Sequence, residues 1–275
     1  MRAARALVAG AWRRAPQVVA AGVLLAALAC APGRYTALNG FRMYYEVHGR
    51  GPVLVLLHGG MGHGGQLAKQ RPLMQQYFRT VVPDLCAQGR SGDRDGPLTY
   101  HAMAEDVVAL LDRLGAEQAD VWGWSDGGVV GLDLAIHHPD RVRKLVTFGA
   151  NFAPDGLNPP DVAWNATATA ASLGPEARRD YDSRAPDPEH FDAAMSKILD
   201  MWRSEPQFTL EQLGGIRARV LVCAGEHDVV RREHTEALAG AIPGARLWIV
   251  PNASHSVMLE QPDLVNRTVL AFLRE

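Results

Sequence analysis

Six short apolar runs, at residues 53–57, 80–83, 120–124, 144–148, 220–223 and 247–250, alternate with stretches of helical periodicity at 100–114, 127–138, 232–241 and 262–273. The run Val53-Leu54-Val55-Leu56-Leu57, bounded by Gly51-Pro52 and His58-Gly59-Gly60, lacks the polar alternation of a half-solvated strand. It reads as a strand covered on both faces. Repeated strand and helix over this length predicts an α/β protein with a mostly parallel sheet and helices on both faces. Before the first run, segments 35–38 and 41–47 flank Asn39-Gly40, a pair suited to the positive φ angles of a tight hairpin turn.

One section breaks the alternation. Residues 151–213 hold no strand pattern; Pro154, Pro159, Pro160, Pro175, Pro186, Pro188 and Pro206 punctuate helical pieces at 161–173 and 188–204. An insertion of this kind between two strands is expected to cover the carboxyl edge of the sheet, where open α/β sheets bind ligands. The predicted organisation is a core of residues 31–150 and 214–275 with a helical cap at 151–213. At 47% hydrophobic and 21% charged residues, a chain of 275 can bury one large core and a small cap.

Residues 1–30 read differently. Arg2, Arg5, Arg13 and Arg14 precede an apolar run at 18–29 that ends in small residues, the pattern of a secretory signal. The run is short for a membrane span. Ala27-Leu28-Ala29-Cys30 resembles a bacterial lipobox with Ala27 where leucine is usual. Three readings follow: a lipoprotein lipidated at Cys30 and attached to the membrane through that lipid, a cleaved exported protein, and an uncleaved anchor. The first is preferred, which predicts an exported protein of the cell envelope. The remaining residues carry 24 basic against 30 acidic groups, which gives no electrostatic case for nucleic acid. Cys86 and Cys223 read as unpaired thiols, although pairing in an oxidising compartment stays open. No cysteine and histidine cluster has zinc-ligand spacing, His58 and His63 alone do not make one, and no metal is assigned.

The chemistry is concentrated in Gly123-Trp124-Ser125-Asp126-Gly127-Gly128. A strand ends, a sharp turn carries one serine, and a helix follows; the flanking glycines leave room for a strained turn and for neighbouring backbone. A plain turn would not need this strand-serine-helix context. A hydroxyl needs a base to act as nucleophile at neutral pH, and the base needs an acid to hold its tautomer. Asp228 follows the strand at 220–223 and His255 follows the strand at 247–250, in the order expected for this elbow and on the same sheet edge as Ser125. Glu226 is the rival acid. The oxyanion is expected to meet the backbone N–H of Asp126 and of Gly60, with Met61 as the alternative. Phe152, Trp164, Trp202, Met61 and Met258 are candidates for an apolar pocket, and equally for core packing.

From about Tyr35 onward the chain resembles the α/β-hydrolase superfamily with a helical cap. The resemblance rests on His58-Gly59 after a strand, Val82-Pro83-Asp84-Leu85 with Gly89-Arg90-Ser91, the Gly-x-Ser-x-Gly-Gly elbow, Gly225-Glu226-His227-Asp228, and Ser254-His255 before an amphipathic helix. The elbow is similar to that of the valacyclovir hydrolase (biphenyl hydrolase-like) family. That resemblance implies that Asp126 receives a substrate α-amino group; otherwise its carboxylate serves only the start of the helix. Asp84-Leu85-Cys86-Ala87-Gln88-Gly89 departs from the more usual Asp-Leu-Pro-Gly-His-Gly. Dehalogenases and epoxide hydrolases of this fold attack with an aspartate where Ser125 stands, which excludes both. The expected reaction is cleavage of a small-molecule ester, lactone or activated amide through an acyl-enzyme on Ser125, with no cofactor. A cofactor-free haloperoxidase or perhydrolase, or a non-catalytic binding protein of this fold, are the alternatives.

Overall fold

The computed structural model describes residues 33–275. The expected signal segment, with Cys30 and the readings of lipidation, export and membrane attachment, lies outside the described residues. Among the described residues no helix is long and apolar enough to cross a membrane.

Eight strands form one sheet: β1 (Arg34–Leu38), β2 (Phe41–His48), β3 (Val53–Leu57), β4 (Arg79–Pro83), β5 (Ala119–Trp124), β6 (Val142–Phe148), β7 (Arg219–His227) and β8 (Arg246–Ser254). Their order is β1-β2-β4-β3-β5-β6-β7-β8. β2 is antiparallel to both β1 and β4, and every other pairing is parallel. At the β1–β2 turn Asn39 has φ 44° and Gly40 φ 88°, as a two-residue hairpin of this twist requires.

The helices are α1 (Arg71–Met74), α2 (Tyr100–Arg113), α3 (Asp126–His137), α4 (Pro159–Thr167), α5 (Gly174–Asp182), α6 (Phe191–Ser204), α7 (Leu210–Gly214), α8 (Arg232–Ala241), α9 (Val257–Glu260) and α10 (Pro262–Arg274). Thr99 starts α2 by accepting a hydrogen bond from the Ala102 N–H at 3.0 Å. Successive residues of a strand point to opposite faces, so the unbroken apolar runs feed two cores. Val55, Leu57, Val121 and Leu145 pack with Leu110 of α2 and Leu132 of α3. Leu54, Leu56, Trp122 and Phe148 pack on the other face with Val265, Val269 and Phe272 of α10. Both layers are nearly inaccessible to water, and each such aliphatic side chain contributes roughly 1.5–3 kcal/mol by burial.

Between β6 and β7 the ordered elements are all helical: α4 to α7 with short 3-10 turns. The continuous helix expected over 161–173 is two pieces. α4 stops at Thr167, and a 3-10 turn at Ala170–Leu173 follows, where Thr169 and Ser172 satisfy each other's backbone and side-chain groups. That local capping competes with helical hydrogen bonding and ends α4. Likewise 188–204 divides into a 3-10 turn at Pro188–His190 and α6. Cys86 and Cys223 are both buried and unpaired, which excludes the disulfide left open from the sequence.

Candidate active site

β5 ends at Trp124 and α3 begins at Asp126, which leaves Ser125 alone to reverse the chain. It does so at φ 53° and ψ −120°, a strained conformation for a residue with a side chain. The neighbouring glycines make the turn possible. A Cβ on Gly123 would lie 2.1 Å from the Gly127 carbonyl oxygen, and one on Gly127 would lie 2.4 Å from the Leu57 carbonyl oxygen. The Ser125 N–H donates to the Phe148 carbonyl at 2.7 Å, which fastens the turn to β6.

Asp228 and His255 each stand one residue past a strand end, β7 and β8. His255 Nδ1 is 2.7 Å from Asp228 Oδ1, and the carboxylate also accepts from the Val230 N–H at 3.1 Å and the Gly225 N–H at 3.3 Å. An ionised, acceptor-only carboxylate there makes Nδ1 the protonated nitrogen and leaves Nε2 as the free base. The rival acid Glu226 instead accepts from the Asn252 N–H at 2.8 Å. Trp124 Nε1 donates to the His255 carbonyl at 2.8 Å and holds the backbone of that residue. Gly149, which the sequence reading did not single out, lies beneath the pair. It has φ 61°, and a Cβ there would come within 2.7 Å of the imidazole and 3.1 Å of Asp228 Oδ2. A glycine one residue past the end of β6 was its only signal.

Ser125 and His255 face one cavity of about 230 Å³. The two side chains are not hydrogen-bonded to each other in this conformation. The loop after β3 packs against the nucleophile turn: a Cβ on Gly59 would lie 3.4 Å from Ser125 Cβ. Gly60 lies directly under Asp126 and Trp202, since a Cβ there would meet Asp126 Oδ2 and Trp202 Cζ2 at 2.4 Å each. Met61 follows at φ 55°. The loop thus sets the backbone of Gly60 and Met61 beside the start of α3.

The Asp126 side chain turns into the cavity and is 5% exposed. Its Oδ1 accepts from Tyr100 Oη at 2.9 Å, and Trp202 Nε1 lies 3.1 Å from Oδ1 and 2.9 Å from Oδ2. Both donors are neutral. Burial therefore pushes this carboxyl above its ordinary pKa, against the two hydrogen bonds that lower it. Glu205 and Asp161 line the same cavity with Trp164 and Trp202, and among the described residues no lysine or arginine does. Burial raises the Glu205 pKa as well, although the Tyr100 N–H donates to its carboxylate at 2.9 Å.

The other pocket candidates divide. Phe152 stacks on His234 with ring centroids 3.8 Å apart, Met258 is buried in the core on the α10 face, and Met61 packs against the opposite core. Trp202 serves as a hydrogen-bond donor rather than as apolar lining alone. Tyr100 and Glu205 also escaped the sequence reading, because their place beside Asp126 comes from packing between α2, α3 and the end of α6.

Comparison with known proteins agrees with this architecture. Residues 54–268 match the family model described as Alpha/beta hydrolase family. RutD of Caulobacter sp. (strain K31), a provisional carbamate hydrolase, is 34% identical over 84% of this chain and 95% of its own. The mouse (Mus musculus) serine hydrolase BPHL is 31% identical over 86% of this chain and 85% of its own. Among solved structures, the enol-lactonase from Burkholderia xenovorans LB400 superposes with a TM-score of 0.73 at 25% identity, covering 88% of this chain and all of the other. The chain belongs to the α/β-hydrolase family.

Proposed function

We propose that the protein hydrolyses small carboxylic esters whose acyl part carries an ammonium group, through an acyl-enzyme on Ser125. The supporting observation is one small cavity lined by Ser125, by His255, whose ring pairs with Asp228, and by the three carboxylates of Asp126, Asp161 and Glu205, with no lysine or arginine of the described residues on its wall. Ser125 Oγ attacks the ester carbonyl as His255 Nε2 takes its proton. Asp228 keeps the imidazole in the required tautomer and stabilises the imidazolium. The oxyanion is met by the N–H groups of Asp126 and Gly60, with Met61 as the alternative second donor, and the first of these gains from the positive end of the α3 dipole. When the tetrahedral intermediate collapses, the bond to the alcohol oxygen breaks and His255 returns the proton to it. Water then attacks the acyl-enzyme by the same route and releases the acid.

The acyl ammonium group is assigned to Asp126. Asp126 is buried with only a phenol and an indole as side-chain donors, and burial raises its pKa; a substrate ammonium group beside it supplies the opposite charge that those donors lack. Carboxylate oxygens offer about four acceptor sites, so the two donors leave capacity on Oδ2. Similarity to the mouse serine hydrolase BPHL supports the serine-hydrolase part of this reading. The experiment is a panel of aminoacyl esters beside neutral esters and lactones of equal size. A kcat/KM at least about tenfold higher for the aminoacyl members is expected from one charge-assisted contact. Equal turnover of all three classes rejects the ammonium assignment, and no turnover of any rejects the ester reaction.

A further inference from the structure

Beside the catalytic cavity lies a second one of about 420 Å³, and Tyr100 and Glu205 form the wall between the two. On its floor His101, in the first turn of α2, meets Asp133 and His137 of α3. Asp133 and His137 are four residues apart and so share a face of α3. His101 Nδ1 is 2.9 Å and His137 Nδ1 3.0 Å from the same Asp133 Oδ1, and all three atoms lie within 4.8 Å of one another. We propose that His101, Asp133 and His137 form a binding site for a divalent transition-metal ion of the zinc or nickel kind.

Four observations carry the assignment. Asp133 is only 2% exposed, and its ion-pair partners among the described residues are imidazoles alone, with no lysine or arginine. A buried carboxylate in that setting calls for a cation. Two imidazole nitrogens and one carboxylate oxygen make a donor set suited to zinc, nickel or copper rather than to calcium or magnesium. The spacing also fits. Metal–ligand bonds of about 2.0–2.2 Å in a tetrahedral site separate the ligands by roughly 3.3 Å, so the two nitrogen–oxygen contacts need to open by only a few tenths of an ångström, and the two nitrogens already lie within 4.8 Å of each other. Finally, the cavity of about 420 Å³ beside the two rings leaves room for water to complete the coordination. The sequence conceals the site because its ligands come from two helices that meet only in the fold.

Isothermal titration of the tag-free chain with zinc and with nickel at pH 7.5 tests the assignment. One ion is expected per chain, with binding weakened at least about tenfold in His101→Ala and in His137→Ala, since even outer-shell losses cost about 10–100-fold. Both rings are partly exposed, and circular dichroism verifies that the variants fold. On the unaltered chain, nickel is expected to broaden the proton resonances of the His101 and His137 rings before those of His255. Absence of saturable binding overturns the site. So do undiminished binding in both variants and first broadening at His255.

Discussion

The indole Nε1 of Trp202 lies 2.9 Å from Oδ2 and 3.1 Å from Oδ1 of Asp126, which joins a helix of the insertion to the residue beside the nucleophile. Trp202→Phe retains most of the ring and removes the donor. Loss of one hydrogen bond to a charged group, about 1.5–3 kcal/mol, is expected to alter aminoacyl-ester turnover by roughly tenfold or more and neutral-ester turnover much less. Asp126→Asn is expected to show the same split more strongly, because it removes the charge and keeps the backbone N–H. Steady-state kinetics on a matched pair of esters measures both. Equal losses on the two substrates would place the damage in the oxyanion site instead.

Ser125→Ala is expected to leave a folded protein and to abolish labelling by a fluorophosphonate probe. Turnover is expected to fall by at least about 10³-fold, since the remaining groups cannot form an acyl-enzyme. Probe labelling followed by intact mass measurement decides the matter, and labelling of the alanine variant would remove Ser125 from its role.

Gly149→Ala tests the platform beneath His255 and Asp228, the base and acid of the proposed mechanism. The new Cβ would sit at φ 61° and 2.7 Å from the imidazole. Displacement of His255 by even part of an ångström is expected to lower kcat at least tenfold, with KM little changed, because misplacement near reacting groups costs on the order of 10²-fold. Retention of wild-type kcat would show that the ring position is not critical.

Acid sensitivity is expected from His234. Burial lowers its pKa to about 4, and its Nε2 accepts from the Phe152 N–H at 3.0 Å while the ring stacks on Phe152. The unfolded chain protonates this histidine near pH 6.5. Between about 6.5 and 4 the unfolded state therefore binds more protons than the native state, so stability is full above that window and falls as pH falls through it. His234→Gln carries no titrating group. Its urea midpoint is expected to be lower at pH 7.5 and to fall less steeply toward pH 4. Parallel slopes for the two proteins would exclude His234 as the source.

The sheet was readable because the central strands carry short, mostly apolar runs, the clearest being Val53–Leu57 between Gly51-Pro52 and His58-Gly59. Chain order and strand ends also put Ser125, Asp228 and His255 on one edge before any coordinates. What stayed hidden depends on neighbours distant in sequence. Gly149 matters because a ring 106 positions later rests on it, Trp202 because α6 returns over Gly60, and His101 because α2 packs on α3. The break after α4 was lost for a different reason. A capping exchange between Thr169 and Ser172 outweighs helical periodicity, and periodicity alone does not register it.

The charge of the cavity wall also bears on how a turnover ends. In the proposed reaction a neutral ester carbonyl becomes an ionised acid among Asp126, Asp161 and Glu205, with no lysine or arginine of the described residues on the wall. Like charges a few ångströms apart in a poorly screened space repel by several times the thermal energy. The carboxylate end of the product is thus pushed away while its ammonium group is still drawn to Asp126, so the amino acid is held less firmly than the ester it came from. The expected kinetic signature is weaker inhibition by the amino acid than by its primary amide, which keeps the ammonium group and lacks the carboxylate charge.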